Sequence, residues 1–154
     1  MNKKQRIAII KVILTILLTA AAVVGMTIFK DIVIHKESML AMSQLGSYIK
    51  EYRSKNYSLP GEYEVEAIKT RLEGSVRLGN IHYRAKWINF GAPEDTILAY
   101  VKKDYFMPLV LEDGYIVIRL NGKMEWMKIQ EFEKLLQSQQ TIEEKMTEIN
   151  GEIR

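Results

Sequence analysis

His35, His82 and two adjacent acid pairs, Glu94-Asp95 and Glu112-Asp113, are the residues best suited to proton or metal chemistry in this chain. Metal sites draw ligands from patterns such as H-E-x-x-H or C-x2-C. The two histidines stand far apart in sequence, and there is no cysteine at all. That absence excludes disulfides, thiolate metal sites and thiol nucleophiles. His35 falls just past an apolar segment, where a surface-facing or headgroup-facing role is expected. His82 falls on the outward face of a strand pattern. Carboxylate pairs perform general acid/base work when burial splits their pKa values. Here one pair follows Gly91-Ala92-Pro93 and the other precedes Gly114, so turn chemistry accounts for both. No P-loop, GxGxxG or GxSxG pattern occurs. The residues therefore describe a chain that is not an enzyme and holds no metal or cofactor.

The aromatic residues offer a different chemistry, that of recognition. Trp87, Trp126, Tyr83, Tyr100 and Tyr115 fall at strand spacing, where core is the expected role. The stretch 102–109 (KKDYFMPL) has no clear period. It places Tyr105, Phe106 and Met107 next to Pro108. An exposed cluster of this kind marks a partner site, and the alternative is a loop tucked against the sheet edge. Tyr105, Phe106 and Met107 are the candidate partner-binding residues.

The elements that position these residues begin with a charge-framed apolar segment. Lys3, Lys4, Arg6 and Lys11 precede residues 12–29 (VILTILLTAAAVVGMTIF), which carry no charge, and Lys30-Asp31 close the run. As a helix, 18 residues span about 27 Å, close to the roughly 30 Å hydrocarbon core of a bilayer. Lys11 can snorkel toward the headgroups. A soluble core helix would carry a polar face, and nothing more polar than Thr15, Thr19 and Thr27 interrupts this run. A cleaved signal peptide would suit the basic start and the small residues Thr19, Ala20, Ala21 and Ala22. However, its apolar core is usually about 7–15 residues, and this one continues through Phe29. The reading is an uncleaved single-pass signal anchor in the inner (cytoplasmic) membrane. One-sided basic flanks stay in the cytoplasm, so residues 1–11 form the cytoplasmic flank and the rest lies outside.

All 19 acidic residues follow Phe29, whereas 4 of the 22 basic ones precede it. The part beyond the anchor therefore has 18 basic and 19 acidic residues, and the basic pI belongs to the anchor flank. Nucleic-acid binding, which needs a clustered basic face, is not expected. The expected partners are the lipid bilayer and other proteins of the envelope. About 125 residues remain for one domain, enough for a core without staples.

Ile32, Met39, Met42, Leu45, Ile49 and Tyr52 recur at helical spacing, so the membrane helix is predicted to continue outside as a spine. Ser58-Leu59-Pro60-Gly61 ends it. Val65, Ile68 and Leu72 predict a short second helix over 62–73. Ile81, Tyr83, Ala85 and Trp87 alternate with His82, Arg84 and Lys86, predicting a strand with the second set outward. Residues 96–101 (TILAYV) predict a central strand. Residues 115–120 and 123–127 flank Asn121-Gly122, a hairpin signal that suits a type I′ turn with positive φ at both residues. Ile129, Phe132, Leu135 and Leu136 predict a short C-terminal helix. The domain is read as 30–136, and residues 137–154 as a polar tail, either a frayed helical one or one that depends on a partner.

This order of elements resembles type IV pilins and the pseudopilins of type II secretion. Residues 44–61 (QLGSYIKEYRSKNYSLPG) look like the end of a pilin spine. Thr96-Ile97-Leu98-Ala99-Tyr100, Gly114, Val117, Asn121-Gly122, Glu125-Trp126, Glu131-Phe132 and Leu135-Leu136 resemble the C-terminal part of a pilin-like group of bacterial export systems. The resemblance covers about residues 7–136. It implies an α+β fold in which a long N-terminal membrane-spanning helix continues into a pilin-like domain. That domain would hold a small antiparallel sheet and a short C-terminal helix. It also implies a non-enzymatic component of an envelope assembly such as a secretion system. A membrane-tethered sensor or ligand-binding module is the alternative. One departure is clear: the peptidase motif Gly-Phe-x-x-x-Glu is missing, and no carboxylate precedes Asp31. The expectation is therefore a full-length protein that does not polymerise through a conventional pilin core.

Overall fold

The structure, a computed structural model, describes residues 2–89, 91–107 and 110–152, with backbone alone for 148–152. Helix α1 (Lys3–Asn56) is unbroken for 54 residues. No residue of its most apolar 18-residue stretch is buried, and the helix is long and apolar enough to cross a membrane. Burial begins at Asp31 and continues through Ser38, Ala41, Met42, Leu45, Gly46 and Ile49. This single stripe at helical spacing faces the domain. α1 ends at Tyr57, whose left-handed φ of 54° lets its N–H donate to the Arg53 carbonyl.

After α1 come α2 (Glu62–Lys69) and a 3-10 turn at Ser75–Arg77. Strands β1 (His82–Tyr83), β2 (Ile97–Lys103), β3 (Gly114–Arg119) and β4 (Met124–Lys128) form one antiparallel sheet in sequence order. Helices α3 (Ile129–Gln139) and α4 (Ile142–Glu152) follow. The fold is α+β, as expected: a long apolar helix, a small antiparallel sheet and short C-terminal helices.

The sheet separates two apolar layers. Ala41, Met42, Leu45 and Ile49 of α1 meet Leu98, Ala99, Val101, Ile116, Ile118 and Leu120 on one side. Ile97, Tyr100, Val117 and Met127 meet Phe132 and Leu136 of α3 on the other. A register shift between Ile97 and Ala99 puts Leu98 and Ala99 on the same side, so β2 departs from strict alternation. Strand β2 reads as a nearly continuous buried run because helices cover both its faces. Phe132 anchors α3 by stacking on Tyr115, with ring centroids 3.8 Å apart.

Four expectations about elements need adjustment. The helix after Pro60 stops at Lys69 rather than reaching 73. The strand over 81–87 shrinks to two residues, followed by a 3-10 turn at Ala85–Trp87. Arg84, expected outward, is buried. The 120–122 turn has positive φ only at Gly122 (80°). There the Gly122 N–H donates to the Arg119 carbonyl and the Arg119 N–H to the Lys123 carbonyl. This is a three-residue loop closing on a left-handed glycine rather than a two-residue type I′ turn. The reason is Leu120: its side chain enters the core beside α1, so it belongs to the loop and shifts the turn by one residue. The polar tail after 137 holds the end of α3 and helix α4.

Candidate functional site

The stretch 105–107 sits at the lower end of the domain, against the first turns of α1 beyond the apolar segment. The structure separates its three candidate residues. Tyr105 is only 7% exposed, packed into the domain rather than presented at its surface. Its ring packs beside Trp126, and its hydroxyl shares a 2.7 Å hydrogen bond with His35 Nδ1. Met107 is half-buried, and its N–H donates to the Asp31 carboxylate at 3.0 Å. Phe106 is the exposed one, 77% accessible, with the Lys30 ammonium 5.5 Å from its ring centre. Pro108 and Leu109, from the same stretch, lie outside the described residues.

The electrostatics of this corner follow from burial. Desolvation lowers the pKa of His35, and the nearby Lys103 ammonium lowers it further. Burial, with Asp31 and Asp113 adding to it, pushes the Tyr105 phenol up to about 12. At neutral pH the pair is thus a protonated phenol and a neutral imidazole, so Tyr105 can donate to Nδ1. If the imidazole gains a proton, Nδ1–H donates to the phenol oxygen instead. Either state keeps one hydrogen bond, as suits a structural contact. Trp126 closes the cage, edge-on to His35 at 5.1 Å.

Lys103 is the unusual member. It points from β2 to the α1 side and is buried, and burial lowers its pKa to about 8. Its ammonium donates to the carbonyls of Arg77 (2.5 Å) and Leu78 (2.8 Å). A strand residue thereby pins the loop around the 3-10 turn. Sequence alternation alone could have placed it there, since Val101 and Lys103 share a face.

The remaining candidates have structural roles. His82 is exposed and stacks flat on Tyr100, centroids 4.9 Å apart. Glu112 pairs with Lys128 at 2.6 Å, while the Asp113 carboxylate accepts the Tyr105 N–H at 2.7 Å. Glu94 and Asp95 are exposed in their loop. Trp87 is half-buried beneath the Lys86 ammonium, and the Tyr83 hydroxyl donates to the Pro60 carbonyl. Among the described residues, no group of three or more His, Asp or Glu lies close enough to hold a metal.

Two arrangements escaped the residue patterns. Arg84 and Glu144 form a buried two-pronged ion pair, Nε to Oε1 at 2.6 Å and Nη2 to Oε2 at 3.0 Å. Arg84 also donates to the carbonyls of Ile97 and Gln139. The pair clasps α4 to the sheet. The sequence did hold a signal for that helix: Thr141 stands three residues before Glu144, and the Thr141 hydroxyl accepts the Glu144 N–H at 3.2 Å. At the opposite end of the domain, Lys50, Arg53, Tyr57, Glu94 and Lys123 line an open cavity of about 620 Å³. It is a basic groove between the end of α1 and the hairpin turn.

The comparisons with known proteins add no relative: no family model, curated protein or solved structure matches the chain.

Proposed function

We propose that this protein is a non-enzymatic, membrane-anchored, pilin-like component of a cell-envelope assembly such as a secretion system. In this reading α1 spans the inner membrane with residues 1–11 in the cytoplasm and the α+β domain outside. One observation carries it. The bare apolar stretch of α1 runs without a break into the buried stripe that holds the sheet. Anchor and spine are one rigid rod, so force or position in the membrane passes directly to the domain. The absence of a carboxylate between Lys3 and Lys30 supports a role other than conventional filament subunit. A buried acid that pairs with a neighbour's N-terminus is the register device such a bundle needs.

Crosslinking in native membranes, followed by mass spectrometry, tests the proposal. Envelope proteins of an export machine should be recovered with the domain. Recovery of the protein alone, at several crosslinker lengths, would reject an assembly role. A second reading, a membrane-tethered ligand-binding module, rests on the basic groove around Lys50, Arg53 and Lys123. Saturable binding of a small anion, lost in Lys50→Ala and Lys123→Ala, would favour it.

A further inference from the structure

We propose that the loop after β2 is a second membrane attachment, with Phe106 and Val110 entering the boundary between lipid headgroups and acyl chains. This rests on the reading of α1 as a membrane anchor and adds a contact that the anchor does not require. The descent of the chain places the loop. The Tyr105 hydroxyl meets His35, and two residues later the Met107 N–H meets Asp31. The chain thus moves four positions down α1, about 6 Å, toward the apolar segment. The Met107 carbonyl then accepts the N–H groups of Val110 (2.9 Å) and Leu111 (3.2 Å), so the chain turns back at that level. Asp31 lies only two residues past Phe29, which is about 3 Å along the helix.

Apart from Lys30, which lies over the Phe106 ring, the exposed side chains of the loop at this level are apolar. Phe106 is 77% exposed and Val110 48% exposed, at the level where the apolar segment of α1 ends. In sequence, 106–110 reads FMPLV without a charge. An aromatic ring beside a lysine at the edge of an apolar span is the usual composition of a membrane–water interface. Charges rim the loop. Lys102 pairs with Asp104 at 3.0 Å, and Glu112 with Lys128 at 2.6 Å. These pairs sit on the residues that lead into and out of the loop, where headgroups and water can hydrate them. The Asp31 carboxylate, buried so close to the span, is occupied by the Met107 N–H rather than left unpartnered. The occupant of this apolar tip is therefore a lipid surface.

The lack of cysteine makes a clean test. Leu17→Cys, Phe106→Cys and Val76→Cys would each be spin-labelled in the full-length protein, reconstituted at low density in phosphatidylcholine–phosphatidylglycerol vesicles. Power-saturation measurements with oxygen and with a water-soluble nickel complex then report lipid and water exposure. All three positions are well exposed, so thermal melts in detergent should match wild type. The expected order is Leu17 deep in lipid, Phe106 shallow in lipid, and Val76 (93% exposed) in water. A label at 106 as open to nickel as that at 76, with 17 still in lipid, would overturn the second attachment and leave the anchor standing. A label at 106 shielded from both reagents would also overturn it, by placing protein rather than lipid there. A label at 17 in water would overturn the anchor itself.

Discussion

Arg84 holds the domain's most consequential side-chain contact, since its charge and that of Glu144 are both removed from water. A buried pair of this kind is weak evidence of net stability, but removing one partner strands the other. Glu144→Ala should therefore destabilise the domain by about 3–5 kcal/mol. The double variant Arg84→Met, Glu144→Leu should lie closer to wild type than the sum of the two single changes. Denaturant unfolding in detergent micelles measures all of these, and simple additivity would remove the pair from this role. Lys103 makes a pH-dependent contribution. Its pKa falls from 10.5 to about 8 on folding. The folded state therefore binds fewer protons than the unfolded state between those values. The cost of burying the ammonium is present in full below about pH 8 and is relieved as pH rises toward 10.5. Relative to Lys103→Met, wild type should gain on the order of 2 kcal/mol over that window. A flat difference across it would mean that the amine is hydrated. The alternation of β2 put Lys103 on the face of Val101, whereas Arg84 was not legible as buried. Arg84 alternates correctly for an outward position, and its acid partner stands 60 residues away. Alternation also fails there because the strand stops at Tyr83 and the backbone coils into a 3-10 turn.

Elements show how much local pattern can carry. The spine of α1, the central strand β2 and the β3–β4 hairpin were all readable, because each has a strong period or a turn signal. What period cannot show is where an element from one half of the chain touches one from the other. The contact of the hairpin turn with α1 is such a case. A Cβ added to Gly46 would sit 2.8 Å from the Gly122 carbonyl oxygen, and one added to Gly122 would meet Lys50 and the Gly46 carbonyl at 3.0–3.1 Å. Alanine in a helix interior normally gains about 1 kcal/mol over glycine. At Gly46 the clash with backbone should reverse the sign and give a net loss of about 1 kcal/mol. Gly25→Ala, with open space around it, serves as the control. Gly122→Val adds a β-branched side chain at φ 80° and should cost about 2 kcal/mol or more. Melting temperatures of the three variants decide the point. A stabilised Gly46→Ala would mean that the hairpin does not rest on the helix. The polar stretch after 137 was the element least visible in composition. Its order comes from the Thr141 cap and the clasp between Glu144 and Arg84 rather than from an apolar face.

On the scale of the whole molecule, the charges are sorted along one rod. Lys3, Lys4, Arg6 and Lys11 stand before the apolar segment with no acid among them, whereas the domain beyond it has nearly balanced charge. Basic residues within a short N-terminal flank set orientation far more strongly than charges in a long translocated domain. The domain also differs between its two ends. The foot bears the apolar loop with Phe106, and the head bears the open basic groove beside Lys123. With α1 upright in a bilayer, about 27 residues of helix beyond Phe29 lift that groove some 40 Å from the hydrocarbon edge. All of this requires the N-terminus to remain in the cytoplasm. An alkaline-phosphatase fusion at the C-terminus of the full chain should therefore be active in cells, and a green fluorescent protein fusion at the same place dark. Replacing Lys3, Lys4 and Arg6 with Gln leaves Lys11 as the sole charge before the span, against Lys30 after it. The orientation signal is then nearly cancelled, and a mixture of both topologies should appear. Bright green fluorescence from the unmodified flank would invert the molecule, putting the domain in the cytoplasm and ending the envelope reading along with it.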